Sequence, residues 1–154
     1  MDTTQHWQYV GFWKRFLASI VDTIILLALT SPLMYLAYGA VFWSDPMAIR
    51  GLADVVINWL APIVLIIWLW HRFGATPGKM MLGAKIVDST TGEEPSIGQL
   101  VGRYFGYIVS TLPLCLGFLW VAIDARKQGW HDKLAGTVVV APVRDAPQGF
   151  QPRL

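Results

Sequence analysis

Three stretches with almost no charged residue dominate the chain, at 16–41, 55–70 and 100–123. A helix needs roughly 20 apolar residues to cross a bilayer core. The first and third stretches meet that length, and the second meets it once Leu52 and Ala53 are added. The pattern predicts a first helix over about 10–41, with a kink where Ser31 meets Pro32, because proline removes a backbone donor and frees a carbonyl. Trp7 and Trp13 at one end of this helix and Trp43 at the other are placed as interfacial anchors, as are Trp68, Trp70, His71 and Arg72 closing the second helix. Asn58 and Pro62 are the second helix's polar and helix-breaking features.

Polar segments separate these runs. A short loop over 44–54 follows the first, and a longer polar stretch over 71–99 follows the second. Within the latter, Gly83-Ala84-Lys85-Ile86-Val87-Asp88 followed by Thr91-Gly92-Glu93 reads as a short strand and turn. Ser96 with Gln99 three residues on is a capping-box start for the next helix. After the third run, 124–136 is polar with an amphipathic tint, 137–143 is a second strand candidate, and 144–154 is expected to be a flexible tail.

The third run decides the topology. If 100–123 crosses once, lysines and arginines divide six against six: Lys14, Arg15, Arg72, Lys79, Lys85 and Arg103 oppose Arg50, Arg126, Lys127, Lys133, Arg144 and Arg153. If it turns back at Leu112-Pro113, the division becomes eleven against Arg50 alone. The positive-inside bias favours the turn. Turning back also places both strand candidates on one side, where they can pair. An unbroken run of that length would nevertheless span comfortably, so both arrangements stay open.

Composition agrees with membrane residence: 55% of residues are hydrophobic, 14% are charged, and the mean hydropathy is +0.47. The expected fold is an all-α membrane protein, a small bundle of two full transmembrane helices plus a broken or re-entrant third region, with a short cytoplasmic strand pair. It forms one domain over 1–154, with its core at 11–143. The net charge of +2 is too small to argue for a nucleic-acid partner. The single cysteine, Cys115, excludes an intrachain disulfide and a cysteine metal cluster. The first run is too long for the apolar part of a cleaved signal and carries an aspartate, so it is expected to be retained.

That aspartate is the leading candidate for chemistry. A carboxylate at the depth of Asp22 costs at least ~2.5–3.5 kcal/mol in hydrocarbon. It is therefore paired with a cation or protonated, and either state implies a buried polar site. Arg15 lies seven residues earlier and on the same helix face, about 10 Å away along the axis. That distance favours a bridge through water, Ser19 or a third group. Arg103 is the natural ionic partner for Asp22. For each charge a plainer alternative stands beside the functional one: Asp22 as a helix-pinning hydrogen bonder, Arg15 and Arg103 as arginines snorkelling to the headgroups. Asp124, Arg126, Lys127, His131, Asp132 and Lys133 can equally form a solvated juxtamembrane face, and the lysines can meet anionic lipid.

Other signals fail. Gly74-Ala75-Thr76-Pro77-Gly78-Lys79-Met80 is one residue short of a phosphate-binding loop and has Met80 where that loop needs Ser or Thr. His6, His71 and His131 have no metal-ligand spacing, and no nucleophile, base and acid arrangement supports an enzyme.

Three motifs in order carry a family resemblance: Phe12-Trp13-Lys14-Arg15-Phe16-Leu17-Ala18-Ser19-Ile20-Val21-Asp22, then Thr76-Pro77-Gly78-Lys79-Met80-Met81-Leu82-Gly83-Ala84-Lys85-Ile86-Val87-Asp88, then Trp130-His131-Asp132-Lys133-Leu134-Ala135-Gly136-Thr137-Val138-Val139-Val140. Over 11–143 the chain resembles the RDD family of bacterial membrane proteins, named for one arginine and two aspartates. The resemblance implies Arg15, Asp22 and Asp132 as those residues, with Asp124 the weaker match for the last. It also implies a multi-pass protein of the bacterial inner membrane and a role in transport of ligands, ions or protons; the charge bias puts both termini in the cytoplasm. The expectation is a polar site of Arg15, Asp22 and Asp132, with Arg103, Asp124, His131, Ser19 and Lys79 as secondary candidates. Such a site would bind or relay a cation, proton or small ligand. So few spans would require a homo-oligomer for transport. No catalytic residue, cofactor or metal is expected, and the bilayer is the expected partner. The rival expectation is a non-catalytic scaffold or assembly protein whose charged residues are structural, with 76–83 and 131–137 as a docking surface.

Overall fold

The computed structural model describes residues 7–44, apart from the Trp43 side chain, and 51–143. The expected tail at 144–154, the anchoring role of Trp43 and most of the polar loop carrying Arg50 lie outside the described residues.

A short strand, β1 (Trp7–Tyr9), leads into α1 (Phe12–Tyr38), one 27-residue helix that continues through Pro32. Gly39 ends it with a positive φ of 62° and donates its N–H to the Tyr35 carbonyl at 2.7 Å. A single turn, α2 (Val41–Ser44), follows. The second long helix is built from α3 (Leu52–Asp54), a π-helical segment (Val55–Leu60) and α4 (Ala61–Phe73). Gly74, left-handed at φ 70°, closes α4 through its N–H to Trp70. One turn, α5 (Pro77–Met80), then leads to β2 (Lys85–Asp88).

The third apolar region forms α6 (Ile97–Thr111) and α7 (Leu116–Ile123), bent by 101° across the break between them. Leu114 and Cys115 take positive φ at 53° and 63° in this break, beside Pro113. The capping box is present: Gln99 N–H donates to Ser96 Oγ at 3.3 Å, and Ser96 N–H to Gln99 Oε1 at 2.9 Å. A short helix, α8 (Trp130–Ala135), leads into β3 (Thr137–Pro142).

The strands form one antiparallel sheet in the order β1-β3-β2. Asp88 faces Thr137 and Lys85 faces Val140 in one ladder; Tyr9 faces Val140 and Trp7 faces Pro142 in the other. The expected strand pair is therefore three-stranded, with Trp7, expected as an interfacial anchor flanking the first helix, in a strand. Three residues are too few to display a period of two.

Both ends of the third region return to one turn beside this sheet. Gln99, in the first turn of α6, donates to the Asp88 carboxylate, and Arg126, three residues past α7, donates to the Ser89 carbonyl at 2.5 Å. A single straight crossing separates its ends by ~30 Å. The bend agrees with the turn-back placed at Leu112-Pro113.

The well-packed core lies next to the sheet, not along the helices. Val10, Trp70, Ala84, Ile86, Leu100, Val139 and Ala141 form it, with Ile66, Tyr104 and Tyr107 packed against them. Only 6% of the most apolar window of α1 and 11% of that of the second helix is buried inside the protein. These two helices are long and apolar enough to cross a membrane, and the bent pair makes a third if it counts as one span. Apolar faces of that extent require an apolar surrounding.

Candidate functional site

Asp132 is the centre of the buried charge. Gly129 enters α8 in an extended conformation, and its N–H donates to Asp132 Oδ2 at 3.0 Å, tying the carboxylate to the helix start. Any Cβ on Gly129 would lie 2.5 Å from the His131 ring, so the entry demands glycine. Arg15 Nη1 donates to Asp132 Oδ2 at 2.5 Å, and Arg103 Nη1 donates to Oδ1. The Asp132 side chain is fully buried, with Arg15 10% and Arg103 1% exposed. One carboxylate thus joins α1, α6 and α8.

Each arginine is further fixed. Arg15 donates through Nε to the Val10 carbonyl at 2.8 Å and through Nη2 to the Lys127 carbonyl at 2.6 Å. Arg103 Nη1 also donates to Thr137 Oγ1 at 2.8 Å, at the start of β3. Its guanidinium carbon lies 5.5 Å from the Trp70 ring centre and 5.9 Å from that of Tyr107. Cation–π contacts of this kind stabilise a desolvated cation. Burial alone would raise the Asp132 carboxyl; Arg103 and Arg15 outweigh it and hold the group well below the usual carboxylate range.

His131 packs beside this cluster. Its ring centre is 4.6 Å from Tyr107 and 5.0 Å from Phe118, and Nδ1 lies 3.2 Å from Ser110 Oγ. Its backbone N–H donates to the same hydroxyl at 3.1 Å. Burial lowers the imidazole first, and Arg103, Arg15 and Lys79 lower it further against Asp132, to about 3. The ring is neutral at physiological pH.

Asp22 sits in a different arrangement. Its Oδ2 accepts from Thr76 Oγ1 at 2.5 Å and its Oδ1 from the Gly78 N–H at 2.7 Å. The carboxylate therefore caps the single turn α5 and fastens it to α1. Lys79 Nζ lies 3.5 Å from the same Thr76 hydroxyl, and Thr76 and Lys79 are buried.

The site thus differs from the expected one. Arg103, expected to partner Asp22, binds Asp132. Ser19, expected as a bridge from Arg15 to Asp22, donates to its own helix at the Phe16 carbonyl, at 2.7 Å. Asp124 is a turn organiser: it accepts from the Arg126 and Gln128 N–H groups, both at 3.1 Å, and pairs with Lys133 at 2.5 Å. The stretches offered as a docking surface are mixed: Thr76, Gly78, Lys79, His131, Asp132, Ala135 and Thr137 are buried, while Met80, Met81, Leu82, Gly83, Lys133 and Leu134 are exposed. Sequence reasoning missed Thr76, Gly78, Trp70 and Ser110. The Thr-Pro-Gly order was the available signal for the first two, as a helix start whose N–H groups need an acceptor.

Both clusters border one partly open cavity of about 780 Å³. Arg15, Asp22, Thr76, Lys79, Arg103 and His131 contribute to its wall, which is otherwise overwhelmingly apolar. Pockets of this size and character hold small ligands.

Comparison with known proteins gives the family of the chain. The chain is similar to the uncharacterized protein YxaI of Bacillus subtilis, 31% identical over 84% of this chain and 95% of that protein. It is similar to the uncharacterized membrane protein YteJ of the same organism, 27% identical over 86% of this chain and 80% of that one. It also resembles the proline-rich antigen of Mycobacterium leprae, 31% identical over 57% of this chain and 37% of the antigen. No solved structure matches it. The RDD family model matches residues 9–136. With that match and a relative aligned along nearly its whole length, the chain belongs to the RDD family.

Proposed function

We propose that this chain is a multi-pass protein of a bacterial cytoplasmic membrane that binds a small ligand between its helices. In this reading the Arg15–Asp132–Arg103 cluster is the structural clamp of the cavity, not an ion site. The observation that carries it is the saturation of Asp132: two guanidiniums and a backbone N–H occupy a carboxylate with no exposure. A cation would have to displace an arginine, and a carboxyl held so far below its ordinary range does not exchange protons near neutrality. With a third region that turns back, the bias of eleven lysines and arginines against Arg50 supports a cytoplasmic side for the sheet and both termini.

Delipidated protein in neutral detergent, titrated with a neutral naphthylamine dye, tests the ligand cavity. Saturable binding that Leu26→Trp weakens is the expected result, since Leu26 lines the cavity. Unsaturable partitioning, equal in both proteins, would overturn it.

A second reading keeps Asp22 as a proton- or cation-carrying group, because its carboxylate borders the cavity from the middle of a candidate span. It requires several copies to enclose a pathway. Asp22→Asn should then abolish ion-dependent flux in proteoliposomes while leaving the protein folded; unchanged flux removes this reading.

A further inference from the structure

The cavity has an unbalanced polar region. Arg15, Lys79 and Arg103 bring three positive charges to its wall and Asp22 one negative charge, while Asp132 pairs the two arginines. Asp132 is shared by both arginines, and Asp22 is held by Thr76 and Gly78. Lys79, 8% exposed, has no carboxylate within ion-pair distance among the described residues. Its ammonium is left with the Thr76 hydroxyl at 3.5 Å and the Trp70 ring centre at 6.0 Å. Asp22 reaches this ammonium only through the shared Thr76 hydroxyl, and a buried ammonium with no direct ion pair is costly.

Two other donors nearby also lack acceptors among the described residues: Arg103 Nε and Trp70 Nε1 are buried and make no hydrogen bond there, although buried N–H groups are nearly always paired. Arg103, Trp70 and Lys79 all contribute to the cavity wall, and the rings and charges above place them side by side. From this polar region the wall continues along α1 through Ile25 and Leu26 to Leu29, and along α4 through Leu65 and Leu69. Leu29 is seven residues beyond Asp22, about 10 Å at the helical rise.

We propose that the cavity binds a single-chain acidic lipid, a long-chain carboxylate, with its head at Lys79 and its acyl chain along Ile25–Leu29 and Leu65–Leu69. This rests on the ligand-cavity reading above and adds the ligand's class. The head supplies the negative charge and the acceptor atoms that Lys79, Arg103 and Trp70 lack. The tail matches the apolar wall that α1 and α4 supply. The volume lies in the range of sites for one small ligand, which favours a single chain over a diacyl phospholipid.

The test measures binding of radiolabelled palmitate and of hexadecanol, the matched neutral chain, to delipidated protein in neutral detergent. Palmitate is expected to saturate one site and to bind at least about tenfold more tightly than the alcohol, the ratio set by a charged hydrogen bond in a buried site. Lys79→Met should bring palmitate down to the alcohol's affinity, and Lys79→Arg should keep most of the preference. Equal binding of acid and alcohol by the unaltered protein, which needs no variant to fold, overturns the acidic head while leaving the ligand cavity standing. No saturable binding of either chain overturns both. Displacement of palmitate by phosphatidylglycerol at lower concentration than by unlabelled palmitate overturns the single-chain source.

Discussion

Gly78 lies so close to Ala18 that a Cβ added to the glycine would sit 2.2 Å from the Ala18 carbonyl oxygen. The same glycine's N–H donates to Asp22, one turn along α1. A small residue and a carboxylate on one helix face thus receive the start of α5 at backbone contact distance. This is how the loop after the second helix is held against the first.

Gly78→Ala is therefore expected to destabilise the protein by about 1–3 kcal/mol, the usual cost of overpacking a tight contact. Thermal melting in detergent should show a clearly lowered midpoint. An unchanged midpoint would show that α5 does not dock on α1 this closely.

Thr76→Val should isolate the side-chain half of the Asp22 cap. It removes the hydroxyl that donates to Asp22 and that Lys79 approaches, while keeping the shape. Losing one hydrogen bond to a charged acceptor in a partly buried place is expected to cost about 1.5–3 kcal/mol. Chemical denaturation in mixed micelles would measure it, and a loss below measurement error would contradict the assigned contact.

His131 predicts an acid limb. Its folded value, about 3, is depressed below the ordinary 6.5. The unfolded chain therefore takes up a proton that the folded chain refuses as pH falls below about 6.5, and stability is lost by up to ~1.4 kcal/mol per unit on the way down. Asp132, also depressed, contributes in the same direction, but only below the ordinary carboxylate range near 4. Melting temperature followed from pH 7 to about 4.5 should fall, and His131→Gln should flatten that slope. An unchanged slope in the variant would contradict the buried neutral ring.

Pairing of Trp7 with Pro142 and of Lys85 with Val140 puts the two ends of the described chain and the middle segment in one sheet. Reporter fusions at residue 7 and after residue 143 should give the same side of the membrane, the cytoplasmic one by the charge bias. Opposite sides would be incompatible with the sheet.

What the sequence displayed well was local. The Ser96–Gln99 capping box, the strand at Lys85–Asp88 and the break near Pro113 each follow from a few adjacent residues. The need of Asp22 for polar company was also legible, because a carboxylate in hydrocarbon is expensive wherever it points. Its partners were not. Thr76 is 54 residues away and Gly78 is 56, and a backbone N–H is invisible in residue identity. Arg103 was matched to Asp22 because both lie within apolar runs. Only the return of α8 against α6 shows Asp132 closer, and that return is set by long-range packing. Asp54, placed in a polar loop, is 2% exposed at the start of the second helix, where the Asn58 amide donates to it at 2.6 Å. Asn58 as the polar exception in its run was the signal, four residues away on the same face.

The account rests most heavily on a buried ion pair that holds the helices together. A double-mutant cycle on Arg103→Met and Asp132→Leu, read by unfolding free energy in detergent, tests it most directly. Asp132→Leu should cost about 3–5 kcal/mol by stranding the buried Arg103, Arg103→Met should cost less because Arg15 still pairs the carboxylate, and the double change should cost less than the two losses added together. Losses that are small, or that simply add, would contradict the clamp.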